Sequence, residues 1–288
     1  MAFDFANTSL AKLFAQPGIS LLRMAASTST RAATLDSETL TEMRDAVEHG
    51  ACEGLAALDI WPELLPGLLS TQPSAMLRSL RECGALAHVL PELDALFGKP
   101  QADSKGDLVD LGHHQLAVID ELASQDALLH VRLAGLLYNL GKADSPPEHL
   151  PTHYRHIERA VPRIQAVCAR FALGAECLDL ALLAVAEMER VHKATEMRAG
   201  ALAVMLGRLG AFAQPQRFAA LMQLCAADYR AFPDAGAVYP KARLLDQALQ
   251  ACLSVNAGLS GASEEAVLEA RAAAIAKALR SERFAGGS

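Results

Sequence analysis

The chain has 288 residues, 52% of them hydrophobic and 5% aromatic, with a formal net charge of −7 and a mean hydropathy of +0.18. That is ample material for the core of one large domain or two modest ones, while the acidic balance excludes global attraction to nucleic acid, so any RNA binding needs a local basic face. Alanine and leucine dominate and β-branched runs are scarce, which predicts an all-α protein, and no apolar run reaches the ~20 residues that span a bilayer.

The amino terminus, MAFDFANTSLAKLF, lacks the basic flank and sustained apolar core of a secretory signal. Residues 10–26 carry apolar positions at Leu10, Leu13, Phe14, Leu21 and Leu22 and are interrupted by Pro17-Gly18, which predicts two short helical pieces around a break. Asp36 or Ser37 caps the next helix, whose inward positions are Leu40, Met43 and Val47. Pro62 and Pro66 frame short turns. Ser74 then opens a helix burying Met76, Leu77, Leu80 and Cys83, with Arg78 and Arg81 on its outer face.

Residues 99–107 (KPQADSKGD) read as a loop or subdomain boundary. In the following helix, LGHHQLAVIDELA, the spacing of Leu111, His114, Val118 and Leu122 points His114 inward and His113 outward. Residues 127–140 are apolar nearly all round, a central helix that Gly141 ends. Beyond Lys142 comes the rigid loop DSPP; His153 and His156 share a face if the chain is helical from Pro151, and Pro162 predicts a kink or restart. Further helices are expected over 176–189, 198–212, 215–232, 239–255 and from about 260, with no internal repeat. The six cysteines, at 52, 83, 168, 177, 225 and 252, form no Cys-x-x-Cys pair and read as reduced buried thiols of a cytoplasmic protein.

Three phrases, LRECGALAHVLPELDALFG, LGKADSPPEHLPTHYRH and PQRFAALMQLCAADYR, resemble bacterial CCA-adding enzymes (tRNA nucleotidyltransferases). The resemblance runs from about residue 10 to about residue 279. It implies a helical array of neck, body and tail with an embedded HD-like domain, divided here as 1–98 (neck and body), 99–212 (degenerate HD-like domain) and 213–288 (tail).

It also implies where the chain departs from the family. The neck motif, Glu-Asp-x-x-Arg-x-x-Arg, falls without a gap on residues 16–23, and only its last arginine survives, as Arg23. His114 matches the family's Gly-x-His ligand, but the His-Asp pair is Tyr138-Asn139, and a further ligand-type histidine position holds Met188-Glu189. An HD site uses such groups to hold divalent ions that lower the pKa of bound water. Asn139 lacks the charge of an aspartate, and the Tyr138 phenol, with an ordinary pKa near ~10, is neutral at pH 7. No metal or other cofactor is expected, unless the altered site still takes a divalent ion.

Two readings of the remaining imidazoles stand. His114, His153, His156 and His192 converge with Glu189 on zinc or nickel; or His114 is a core histidine bonded to Tyr138 or Asn139 while His153 and His156 sit at an exposed junction. A metal-free pocket of His114, Lys142, His153, His156 and His192 would bind a phosphate or ribose. The family's nucleotide addition belongs to an amino-terminal head with paired aspartates. No Asp-x-Asp pair is present, and the chain is expected to start at or just before the neck. The expectation is therefore a catalytically inactive module that binds tRNA or structured RNA through Arg23, Arg78, Arg81, Arg217, Arg230 and Lys241. The alternatives are a metal-dependent phosphohydrolase acting on 2′,3′-cyclic or monoester phosphates, and a protein-binding scaffold pairing with a separate nucleotidyltransferase chain.

Overall fold

The computed structural model describes residues 16–31, 34–103, 105–256, 258 and 261–285, with side chains to residue 280; apart from one small hairpin, it is all-α. It divides into two compact units, Met1–Ala181 and Leu182–Ser288, with the boundary inside one helix.

In the first unit, helix α1 (Pro17–Arg31) begins at the Pro17-Gly18 pair where a break was expected. Proline fits a first turn because the N–H it lacks would be unpaired there. A Cβ on Gly18 would stand 2.2 Å from the Ala51 carbonyl oxygen, so only glycine permits this approach. The helical piece expected over 10–15 lies outside the described residues. Helix α2 (Ser37–Glu48) is capped by the Asp36 carboxylate, which accepts the Thr39 N–H at 2.7 Å.

Helix α3 (Ala57–Leu68) contains both Pro62 and Pro66, where turns were expected. The two prolines lie four apart with Leu58 on one exposed face, so the carbonyls left without intrahelical donors turn toward water. Helix α4 (Pro73–Glu82) is started by Asp120, which accepts from the Ser74 N–H at 2.9 Å and from its hydroxyl at 2.5 Å. Two single turns, α5 (Leu86–Val89) and α6 (Pro91–Asp94), follow.

The stretch expected as a loop instead forms a hairpin, β1 (Pro100–Ala102) against β2 (Leu108–Asp110), with Gln101 opposite Val109. Three-residue strands are too short to show a period of two. The Asp103 carboxylate shapes the turn by accepting from the Lys105 and Asp107 N–H groups, both at 2.8 Å.

Asp110 ends the hairpin and caps α7 (Leu111–Ser124) through the His113 N–H. Next come α8 (Leu129–Leu137), a 3₁₀ turn at Leu140–Lys142, another at Pro147–His149, α9 (His156–Arg170) and α10 (Ala175–His192), which crosses the unit boundary. Helix α9 runs through the exposed Pro162 without a restart.

Helix α1 packs on α3 and α4, α4 on α7, α7 on α8, and the Leu140–Lys142 turn on α9. Leu22, Leu64, Leu77, Leu80, Leu116, Ile119 and Leu122 are fully buried between them, each adding roughly 1.5–3 kcal/mol of apolar burial. The contact of the Leu140–Lys142 turn with α9 depends on Gly141: an added Cβ would meet the His156 carbonyl oxygen at 2.0 Å and the Ala160 nitrogen at 2.6 Å.

In the second unit, α11 (Ala199–Arg208) and α13 (Pro240–Asn256) pack on α14 (Glu264–Ala285), and α12 (Pro215–Arg230) buries Leu221, Leu224 and Cys225. The Glu187 carboxylate, 5% exposed, is neutralised by Arg190 at 3.0 Å and Arg208 at 2.5 Å. No helix of the described residues is long and apolar enough to cross a membrane.

Candidate functional site

His114, Tyr138 and Asn139 lie in the first unit, where α7 and α8 pack together. His114 and Tyr138 are buried, and Asn139, just past the end of α8, is 2% exposed. The Asn139 side chain donates from Nδ2 to Gln115 Oε1 at 2.9 Å, and the Gln115 amide donates in turn to the Gly135 carbonyl oxygen. A carbonyl can only accept, which fixes the Gln115 orientation and makes Asn139 the donor. At the positions next to His114 in the chain and at the end of α8, two neutral amides are thus linked in one direction, Asn139 to Gln115 and Gln115 to the Gly135 carbonyl. Such a donor set does not suit a hard divalent ion, which needs oxygen lone pairs directed at it and charge to offset its own. Among the described residues, no group of three or more His, Cys, Asp or Glu side chains is placed to hold a metal. Gln115 is the residue that pattern reading missed; its signal was a polar side chain four residues after Leu111, on the buried face.

Residues 141–159 build a second constellation. His153 is 1% exposed and bridges two segments: its Nε2–H donates to the Pro100 carbonyl of β1 at 2.9 Å, leaving Nδ1 to accept the Ser145 hydroxyl proton, also at 2.9 Å. Arg159 donates to Ser145 Oγ at 2.9 Å and to the Gly141 carbonyl at 3.0 Å. Arg163 reaches the Leu140 carbonyl and pairs with Asp144, and Lys142 Nζ donates to Gln101 Oε1 at 2.8 Å. Burial lowers the His153 pKa, and the nearby Lys142 and His156 push in the same direction.

His153 and His156 do not share a helix face, because α9 starts only at His156. His153 (φ +53°) and Arg155 (φ +59°) are left-handed instead, a conformation costing such residues about 1–3 kcal/mol each. The bonds to Ser145 and Pro100 hold His153 in that turn. His156 Nδ1 lies 3.1 Å from the His153 carbonyl oxygen, and its ring is half-buried.

The remaining candidates belong to the second unit. Met188 is buried and Glu189 is exposed. His192 stands 2.9 Å from the Asp228 carboxylate through Nε2 and 2.9 Å from the Tyr239 hydroxyl through Nδ1, which ties the end of α10 to α12 and to the start of α13. Burial, with Cys225 and Asp228 nearby, pushes the Tyr239 hydroxyl pKa well up, so it stays protonated.

Three arginines expected to face RNA meet carboxylates within the first unit. Arg23 makes a two-pronged pair with Glu63 at 2.7 and 2.8 Å, Arg78 lies 3.9 Å from Asp120, and Arg81 lies 3.9 Å from Asp94 and over the Phe97 ring. All three remain 43–57% exposed; the 3.9 Å contacts of Arg78 and Arg81 are weak surface pairs, whereas Arg23 is held by two bonds to a Glu63 side chain that is 16% exposed. In the second unit Lys241 donates to Thr195 Oγ1 at 2.9 Å; Arg217 sits near the start of α12 and Arg230 ends it.

No family model matches the chain. Over 251 residues it is 41% identical to a multifunctional CCA protein of Paraburkholderia phymatum, an overlap of 84% of this chain and 60% of that protein. It is 40% identical over 246 residues to one of Nitrosomonas eutropha (85% and 60%) and 39% identical over 257 residues to one of Cupriavidus metallidurans (85% and 62%). The chain therefore spans about 60% of the length of the curated relatives it matches.

Proposed function

This chain is homologous over about 85% of its length to part of the multifunctional CCA proteins, and from that premise we propose that it is an RNA-gripping helical module of the tRNA nucleotidyltransferase type, without hydrolysis at its HD-like positions. Its ligand is tRNA or structured RNA. The kinship to proteins named for CCA supports the ligand, and the exposed arginines of α1 and α4 supply cations that phosphates can reach.

The observation that carries the loss of hydrolysis is the Asn139–Gln115 amide pair. Metal-assisted hydrolysis needs a charged, lone-pair-rich pocket to hold the ion and lower the pKa of its water. Here the acid is an amide whose N–H is already committed, in a core position that would make an added ion costly. Nucleotidyl transfer by this reading depends on a separate nucleotidyltransferase chain, the partner to seek by co-purification.

One preparation tests both halves. Metal analysis is expected to find well under one equivalent of divalent ion, with no turnover of a 2′,3′-cyclic phosphate. A tRNA gel shift is expected at low salt and to weaken steeply as salt rises, the mark of phosphate contacts. Stoichiometric metal, with turnover abolished by His114→Ala, would establish the phosphohydrolase instead; no shift even at low salt would remove the RNA reading.

A further inference from the structure

Tyr154 is 61% exposed, and the residues on either side of it are fixed by the loop. The residue before it, His153, is locked by Ser145 and the Pro100 carbonyl, and the residue after it, Arg155, turns left-handed into α9. Tyr154 thus stands between two left-handed residues. Its ring meets the His149 ring edge-to-face, with centroids 5.5 Å apart and planes at 74°. A T-shaped contact covers at most one face of the tyrosine, and with 61% of the residue exposed an aromatic face stays open to solvent.

Three guanidinium groups follow it in the chain: Arg155, just before α9, and Arg159 and Arg163, four apart on α9, with Arg159 bonded to the Gly141 carbonyl and Ser145 Oγ. Arg155 is 60% exposed in a pair with the equally open Glu158, while Arg163 pairs with Asp144. Those carboxylates leave only modest attraction for phosphate, so an occupant must be held chiefly by the ring. A pre-set aromatic face beside guanidinium groups fits an unpaired base of a single strand, where every base offers a π-face and the sugar-phosphate chain runs past the cations. A paired helix, whose bases are already stacked, offers nothing to it.

We propose that Tyr154, steadied by His149, is a stacking platform for an unpaired nucleobase of bound RNA. The platform rests on the RNA-binding reading given above and locates one of its contacts. The expected effect of Tyr154→Ala is roughly tenfold weaker binding of a fluorescent single-stranded RNA oligonucleotide. Binding of a blunt RNA duplex should be unchanged, and so should the salt dependence, because no phosphate contact is removed. Tyr154→Phe should bind as the unsubstituted chain does, since the ring and not the hydroxyl stacks, whereas Tyr154→Leu should resemble the alanine variant. The exposed position keeps folding out of the comparison, and circular dichroism of each variant checks it. Equal affinities for the unsubstituted chain and Tyr154→Ala would overturn the platform alone; failure of the unsubstituted chain to bind either RNA would overturn it together with the RNA-binding reading.

Discussion

A single buried imidazole shows how side-chain chemistry sets the local fold around the candidate site. Charge on His153 is disfavoured in the folded protein, first by burial and then by the Lys142 and His156 side chains, against the Pro100 carbonyl and the Lys142 backbone, which favour it. Its folded pKa lies below the ~6.5 of an unfolded histidine, so between those values the unfolded chain binds more protons than the folded one. Stability contributed by this group is fully present above about pH 6.5 and is lost as the pH falls through the folded pKa. Urea unfolding of the first unit between pH 8 and pH 5 should show that loss, and His153→Asn should flatten it within the same window, whatever it does to stability at pH 8. An unchanged pH profile in the variant would mean that His153 titrates as it does in the unfolded chain. The sequence exposed this residue as a histidine of interest but not its turn, because its two partners come from residues 8 and 53 positions away. The same holds for Asn139: that it is an amide and not an acid is visible in the letters, whereas the Gln115 amide that accepts its N–H is visible only in the packing.

Helices were legible wherever apolar spacing and a start signal agreed, as at α2, α4 and α7, and less so where the deciding interaction was remote. Pro62 and Pro66 look like turn formers, yet α3 passes through both because each faces solvent, and the far end of that helix is finished by a residue from another element. Arg132, in the middle of α8 and 5% exposed, donates to the carbonyls of Leu68 at 3.0 Å and Ser70 at 2.6 Å, just where α3 runs out of its own donors, and to Ala127 at 2.9 Å. Burial lowers its pKa while Asp126 raises it, and the three carbonyls give the guanidinium three acceptors. Arg132→Met keeps the apolar stem and strands those carbonyls, at an expected cost of about 3 kcal/mol to the first unit. Arg132→Lys should recover only part, since a single ammonium cannot reach the same fork. The sole tryptophan, Trp61 in α3, reports the transition; a loss within about 0.5 kcal/mol would mean that water replaces the guanidinium without penalty.

At the scale of the molecule, the thiols distinguish the two units. All six cysteines are free and buried, four in Met1–Ala181 and two in Leu182–Ser288. Only the thiolate reacts, and burial in apolar surroundings raises the pKa that governs it: Cys52 is pushed up to about 11, and Cys83, Cys225 and Cys252 also rise. Cys168 and Cys177 share a hydrogen bond that lowers the first pKa and raises the second, so Cys168 holds the most accessible charge among them. Native protein at pH 8 should therefore react with a thiol-specific disulfide reagent slowly and incompletely, with Cys168 leading, and release six equivalents once denatured. Because the units have separate cores, rising urea should expose the thiols in groups of four and two if their stabilities differ, and mass-spectrometric mapping of the labelled peptides assigns each group to its unit. Rapid native labelling of Cys225, the most deeply held of the six, would contradict the packing of α12; simultaneous exposure of all six at one urea concentration would show the two units unfolding together.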